Sequence, residues 1–576
     1  MKRYLLSALI TIFALNMSAT VKPRFGRGTP DSEQTNNENV DHQNGPRKIG
    51  NQASAPLKAK GSPKVPVILV QFTDLKFISG LGSTTDSQGN EVVNQCLSDE
   101  DVAKVNSFFN LFCNGNGEEG GYYTGAGSFG AIREYFRDQS QGQFTPEFVV
   151  IGPVTLDNGY AYYGKNSSSK KDVNLSTFYK DAITKAQQIF TDWSLFDNDK
   201  NNVVDMAFFI FAGEGENGGG GTNTIWPQER ASGGTLNNVK YGCYACCNET
   251  FKGKTDGIGV FCHELSHAMG LPDFYDTNYV AYGLDYFDVM DSGCYCNDAL
   301  TPCNYSTYER DFMGWQSLVT LNSMESQTIT LYPVDNGGKG YKIVNPENPN
   351  EYLVIENRQT LGWDSYLGKG TDRTKMHGMM VMRVNYNSSS WSANSVNTNK
   401  TNQRITIVPA DNNLRSYMWV NDYDDYNEFY LSTIGDLFPG AKGVTALKGT
   451  HAVDYSYYDS QEVEVIDPAT GEPMIDPETG VKVTEIKKTL YSYDWSTSDF
   501  GQPITNIVEH EDGTVTFDFC ADATAINSLF ENRKENVPVY NAMGVMVATT
   551  TIEYGRPTYL PTQNGIYIVN GRKYIK

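Results

Sequence analysis

The chain has 576 residues and a formal net charge of −22, with 39% hydrophobic and 12% aromatic side chains. So acidic a composition excludes nucleic acid as a partner, because phosphate binding needs a basic face. The length exceeds what one core can organise and predicts roughly two to four domains. Tyr (36) and Gly (54) are both abundant, which points to β-rich structure with many turns.

In chain order, Lys2 and Arg3 precede an apolar run over 4–15 and the small residues Ser18 and Ala19. That is the layout of a secretory signal peptide, 1–19, and the run is too short to span a bilayer. No other stretch is long and apolar enough to do so, and export permits disulfides. Residues 20–63 are polar and rich in Asn, Gln, Gly and Pro, and read as a flexible leader or short pro-segment. A buried strand is predicted over 65–72, a helix over 128–136, and a β segment over 144–151. Residues 175–190 have helical spacing, with Phe178, Ala182, Ile183, Ala186 and Ile189 on one side. A strongly apolar strand follows at 203–211, and a glycine-rich surface loop, expected to be mobile, at 215–221. That loop lacks the Lys-Ser/Thr ending of a phosphate loop.

Between that helix and strand lies Asp197-Asn198-Asp199-Lys200-Asn201-Asn202-Val203-Val204-Asp205. Oxygens from Asp197, Asp199, Asn201 and Asp205 are spaced to wrap a hard cation, which makes the loop a candidate structural calcium site. It departs from an EF-hand loop in two places. Asn202 stands where Gly is usual, although Asn tolerates a left-handed backbone, and Phe208 stands where a bidentate Glu is expected. A plain polar turn is the alternative.

The sharpest signal is His263-Glu264-Leu265-Ser266-His267, followed by Gly270 and Asp273. On a helix, positions four apart share a face, so both imidazoles are predicted to point at one metal ion. Glu264 is placed to touch a metal-bound water without ligating. Gly270 allows a sharp exit from the helix, which brings Asp273 round as an oxygen ligand. Two histidines and one carboxylate leave the fourth position of a zinc ion open, the mark of a catalytic site. The bare five-residue pattern also arises by chance. The spacing to Gly270 and Asp273 and a Met-turn at Phe287-Asp288-Val289-Met290-Asp291-Ser292-Gly293 argue against chance.

Ten cysteines include Cys243-x-x-Cys246-Cys247 and Cys294-x-Cys296, flanking the predicted metal helix. Disulfides or buried free thiols are favoured over a second zinc, since no His lies near either cluster. After Trp315 the pattern changes to short alternating runs, such as 352–355 and 379–384, separated by turn residues. These predict a β-rich domain of β-sandwich type over 321–522, with a hairpin insertion at 459–488. The last fifty residues read as a separate β unit with strands near 537–541 and 565–571.

Together these stretches carry a resemblance. Tyr135-Phe136-Arg137-Asp138-Gln139-Ser140, the 197–205 loop with Ala212-Gly213, and Thr224-Ile225-Trp226-Pro227 all contribute. So do 263–276, 287–293, and Tyr305-Ser306-Thr307-Tyr308-Glu309-Arg310 with Gly314-Trp315. Glu356-Asn357-Arg358-Gln359, Gly362-Trp363-Asp364 and Asp436-Leu437-Phe438-Pro439-Gly440 extend it. Over roughly residues 65–520 the chain resembles the immune inhibitor A-like secreted zinc metallopeptidases, a metzincin-related family. The resemblance implies an α+β fold with a zincin-like catalytic domain at 64–320. It also implies an extracellular endopeptidase acting on protein or peptide substrates, with His263, His267 and Asp273 on zinc and Glu264 as general base. Asp276 is the neighbouring candidate. Where the family commonly reads Trp-Pro-His, this chain has Trp226-Pro227-Gln228, a departure given no catalytic role. The C-terminal unit, 523–576, is similar to sorting domains of the type IX secretion system of Gram-negative bacteria, which would make that machinery a partner.

The expected chemistry is peptide hydrolysis by a metal-activated water, with Glu264 moving the proton. Tyr295, Tyr305 and Tyr308 are the tyrosines near the Met-turn that are candidates to stabilise the oxyanion, core packing being the alternative for each. The rival from another class is an exported β-rich binding or adhesion protein with a vestigial metal site.

Overall fold

The computed structural model describes residues 54–520 and 536–575, apart from single positions and the segments 118–121, 168–169, 278–280, 368–375, 416–431, 478–481, 554–555 and 570–571. The predicted signal peptide and most of the leader lie outside the described residues. Among those described, no helix is long and apolar enough to cross a membrane.

The N-terminal half is organised by a largely parallel sheet. Strand β1 (Lys64–Gln71) pairs in parallel with β2 (Glu147–Thr155) on one side and β3 (Val204–Glu214) on the other. Next to β3 lies β5 (Val239–Phe251), parallel to it, and the short antiparallel β4 (Gln228–Arg230) forms the edge. Parallel strands need cover on both faces, which is why they read as unbroken apolar runs. Alternate side chains sort to the two faces. Val67 and Leu69, Phe208 and Ile210, Ala245 and Cys247 share a core with the helix α4 (Gly259–Ala268). Helices α1 (Asp99–Asn114) and α2 (Ile132–Gln139) supply the same core. Ile68, Val70, Phe209, Phe211 and Cys246 instead pack with α3 (Leu175–Ile189) on the opposite face. Phe208 stacks on Phe261 of α4, ring centroids 3.6 Å apart, so the metal-motif helix is seated on the sheet's central strand.

Three expectations need correcting, and the cysteines take one of the two forms favoured for them. Residues 54–63, read as the end of a flexible leader or short pro-segment, are folded rather than flexible: Ala55, Leu57 and Ala59 are buried. The Leu57 N–H donates to Ala268 O at the end of α4, and Trp315 Nε1–H donates to Ala59 O. The helix expected from 128 begins at Ile132, because the Glu134 carboxylate accepts the Ala131 N–H and fixes the start there. In the 215–221 loop, Asn217 is fully buried rather than part of a surface. All ten cysteines are buried free thiols. Cys243 and Cys247 face one core and Cys246 the other, as strand alternation dictates, so that cluster cannot converge on one point.

Beyond residue 320 the structure is mainly β, giving an α+β chain. Strands β7 (Tyr341–Val344), β8 (Glu351–Arg358), β9 (Gly378–Asn385) and β10 (Ile405–Ile407) form an antiparallel series. One face of this sheet, through Leu353, Ile355 and Val381, shares a core with a three-stranded sheet. That sheet is made of β6 (Gln327–Leu331), β13 (Ile504–Glu509) and β14 (Val515–Phe519). The other face, through Val354, Met380 and Met382, belongs to the core that holds α4. A long hairpin of β11 (Thr450–Glu464) and β12 (Thr484–Ser498) brackets the predicted insertion. Residues 536–575 form a five-stranded sheet with its own small core of Val537, Val539, Tyr567 and Val569.

Candidate active site

Helix α4 carries His263, Glu264 and His267, all buried. Its first residue must be glycine: a Cβ on Gly259 would sit 1.8 Å from Cys294 O. The helix ends as expected, with Gly270 at φ +104°, a conformation that side chains resist. The reversal brings Asp273 back, and its Oδ1 lies 3.2 Å from Nε2 of both His263 and His267.

The far ring nitrogens fix the tautomers. His263 Nδ1 is 2.8 Å from Val289 O and His267 Nδ1 is 2.7 Å from Leu271 O. A carbonyl can only accept, so each Nδ1 carries the hydrogen and each Nε2 lone pair faces Asp273. Three facing electron pairs require a cation or shared protons. The spacing suits a metal: a tetrahedral zinc with bonds of about 2.0–2.1 Å has ligand–ligand edges of about 3.3 Å. The electrostatics agree. Burial lowers the His267 pKa and the facing Asp273 carboxylate raises it; the carboxylate wins, and the pKa is pushed up to about 9. For Asp273, burial acts upward, yet the two imidazoles hold its pKa far below the usual carboxylate range. The donor set therefore fits a divalent ion.

The supports come from three directions. The Met-turn gives Val289 O to His263, and its Met290 O accepts the Phe274 N–H, next to Asp273. Asp288 shapes that turn by accepting the Met290 N–H at 2.8 Å. Asn394, from the β-rich half, clamps Asp273 twice: its Nδ2 donates to Asp273 Oδ2 at 2.6 Å, and its Oδ1 accepts the Asp273 N–H at 2.7 Å. Sequence reasoning missed Asn394, which lies 121 residues from Asp273 and carries no motif of its own.

A cleft of about 170 Å³ opens over these atoms and is also lined by Glu264, Trp226, Gln228, Tyr295 and Asn217. Glu264 is buried, and burial, opposed by the two histidines, raises its pKa above the ordinary value. Of the three candidate tyrosines, Tyr295 lines the cleft, and its hydroxyl accepts from Asn217 Nδ2 at 3.3 Å. Tyr305 is turned beneath α4, against the Ser266 hydroxyl, and Tyr308 packs on Phe274. Asp276 accepts the Ala281 N–H and is not one of the converging groups.

A second cluster brings carboxylate oxygens of Asp197, Asp199 and Asp205 within 4.8 Å of one another. Asn202 adopts φ +66°, as its position in the loop required. The Asn201 backbone N–H donates to Asp197 and Asp199 while its side chain is exposed. Asp205 is buried, and its Oδ1 has no hydrogen-bond partner. Burial, reinforced by the charges of Asp199 and Asp197, pushes the Asp205 pKa up to about 6.

The residues that converge here lie within the part of the chain that matches known proteins. Residues 52–317 match the family model described as immune inhibitor A peptidase M6, catalytic domain. This match over the catalytic segment and the relatives below support an immune inhibitor A-like metallopeptidase family, which implies a catalytic metal. It is similar to immune inhibitor A of Bacillus thuringiensis subsp. alesti, 25% identical over 318 residues, covering 47% of this chain and 44% of that protein. It is similar also to the pre-pro-metalloprotease PrtV of Vibrio cholerae serotype O1, 24% identical over 343 residues, covering 52% of this chain and 36% of PrtV. The matched region thus spans less than half the length of these curated relatives.

Asp172 supports the rim of the cleft: its Oδ2 accepts the Trp226 N–H at 3.1 Å and Gln228 Nε2–H at 3.3 Å. Burial pushes its pKa up from 3.8 to about 8. The folded chain therefore holds a proton that the unfolded chain has lost across that window, and this contribution to stability falls as pH rises through it. From pH 5 to pH 8, the parent chain is expected to lose stability relative to Asp172→Asn, by up to about 1.4 kcal/mol per pH unit. Denaturant unfolding of both proteins at the two pH values checks this; a constant difference would show that Asp172 is ionised throughout.

Proposed function

We propose that the chain is an exported, zinc-dependent endopeptidase that hydrolyses peptide bonds of extracellular proteins. The observation that carries this reading is the 3.2 Å approach of Asp273 Oδ1 to both histidine Nε2 atoms, with Glu264 lining the same cleft. His263, His267 and Asp273 would hold the zinc, which when bound lowers the pKa of a water ligand and polarises the scissile carbonyl. Glu264 takes the proton of the attacking water and delivers it to the leaving amine. Its raised pKa strengthens it as a base and keeps the captured proton available. The carbonyls of Val289 and Leu271 keep both Nε2 lone pairs directed at the metal position, and Asn394 keeps Asp273 there. Tyr295, oriented by Asn217, is the tyrosine positioned to donate to the developing oxyanion.

We further propose that Asp197, Asp199 and Asp205 bind calcium, which would tie the loop to the start of β3. The orphaned, buried Asp205 Oδ1 supports this. The signal-like N-terminus and the C-terminal sheet support export, with the latter as a sorting unit for secretion machinery. Intact mass and N-terminal sequencing of the exported protein test both ends.

Glu264→Gln is expected to retain one equivalent of zinc and a native melting curve, while casein digestion falls at least about a hundredfold. A variant digesting casein at the parental rate would remove Glu264 from the mechanism. Calcium at about one hundred times its Kd should stabilise the parent chain by about 2.7 kcal/mol and leave Asp205→Asn unaffected. Equal responses in a thermal melt would dismiss the calcium site.

A further inference from the structure

A second cavity, of about 400 Å³, lies between α2, the helix α5 (Thr307–Phe312) and the turns around 334–337 and 362–366. It shares no lining residue with the cleft above the histidines. Its apolar wall is aromatic: Phe129 meets Trp363 edge-on at 4.9 Å between centroids and Tyr122 at 4.8 Å. Arg310, only 2% exposed, also lines it.

Arg310 is unusual among the buried charges. The neighbouring Arg358, equally buried, is satisfied by two acids, bonding Asp364 at 2.7 and 2.8 Å and Glu356 at 3.1 Å. Those acids are thereby used. Arg310 has only neutral partners: its Nη1 donates to Val334 O at 3.1 Å and its Nη2 to Gln139 Oε1 at 3.0 Å. Its Nε has no hydrogen-bond partner, and no described carboxylate lies within 4 Å of the guanidinium. The charges of Glu356 and Asp364 act on it only from beyond ion-pair distance, and a buried guanidinium with no anion in contact is costly, so such a group is normally paired.

The cavity's own acids do not fill the need. Asp138 is taken up by Tyr122 Oη, Trp363 Nε1 and Arg137 Nε, and Asp335 accepts from Asn304 Nδ2 and the Trp363 N–H. With Arg137 and Arg310 set against Asp138 and Asp335, the charged lining is balanced, which disfavours a dianion such as phosphate. A single negative charge attached to a flat or bulky apolar group fits both the guanidinium and the wall, and the volume suits a ligand of that size.

We infer that this cavity binds the C-terminal carboxylate of a peptide ending in an aromatic or large apolar residue, with the carboxylate on Arg310 and the side chain against Tyr122, Phe129 and Trp363. Peptide-bond hydrolysis generates C-terminal carboxylates, but the site stands whether or not the chain is a peptidase. It is also connected to α4: Gln139 Oε1, which accepts from Arg310, accepts the Tyr305 N–H as well, and the Tyr305 hydroxyl meets Ser266.

Calorimetric titration of the full chain with N-acetyl-phenylalanine and with its amide tests the site. The acid is expected to bind saturably and at least about tenfold more tightly than the amide, the discrimination of a charged hydrogen bond. Phe129→Ala and Arg310→Gln should each weaken it about tenfold or more, and His267→Ala should leave it unchanged. If Arg310→Gln does not fold, the amide comparison and the half-buried Phe129→Ala decide. Equal affinity of acid and amide, no saturation below about 10 mM, or indifference to Phe129→Ala would overturn the proposal. Loss of binding in His267→Ala would place the carboxylate in the other cleft and would equally overturn it, as would displacement by equimolar inorganic phosphate.

Discussion

The arrangement of this molecule turns on three electron pairs aimed at one point. A carboxylate oxygen stands 3.2 Å from each of two imidazole nitrogens, and all three groups are buried. Left to themselves such groups turn away, take up protons, or recruit a cation. Holding them in place demands a rigid surround, and the hydrogen-bond geometry supplies one. Each ring is committed through its other nitrogen to a backbone carbonyl, and Asp273 is gripped at both its amide and its second carboxylate oxygen by Asn394. The chain invests its buried polar groups where the charge is concentrated.

That surround is drawn from both the sheet-and-helix half and the β-rich half, from residue 57 to residue 436. The sheet seats α4 from below through the Phe208–Phe261 stack, and residues 54–60 close its C-terminal end. The segment after α4 is tied to the β-rich half repeatedly. Tyr282 donates to Asp436, the Gly283 N–H to Gln403 and Asn397 Nδ2 to Phe274 O. Arg358 of β8 donates to Phe287 O at the entry to the Met-turn, while Glu356 accepts both donors of Thr307. The apolar core likewise continues from α4 into β8 and β9. Removing the β-rich half would strip the third candidate ligand of its clamp and expose the Met-turn.

Local chemistry was legible in the sequence wherever it depended on short spacing. The i, i+4 histidines, the positive φ of Gly270, and the left-handed Asn202 all follow from residues within a few positions of one another. So do β1 and β3, whose apolar runs reflect burial on both faces. Helix α1 was overlooked although Ser98 and Asp101 form a capping box, because its apolar face of Val105, Phe109 and Phe112 is interrupted by polar residues. Strand β5 was hidden by its cysteines, which drew a chemical reading where strand alternation was at work. Asn394 and Asp172 were out of reach for another reason. Their roles arise from tertiary proximity, and an Asn or Asp in a polar stretch has no periodicity to betray it. Among the tyrosines, sequence could gather candidates near the Met-turn, but only the packing separates Tyr295, in the cleft, from Tyr305 and Tyr308 beneath it.

The central claim is that the converging atoms are a zinc site. A crystal of the zinc-supplemented chain, with diffraction recorded on both sides of the zinc absorption edge, addresses it most directly. The account predicts an anomalous peak that disappears below the edge, bonded to His263 Nε2, His267 Nε2 and Asp273 Oδ1 at about 2.0–2.2 Å. A featureless map at that position, or a zinc peak found only at Asp197, Asp199 and Asp205, would contradict it.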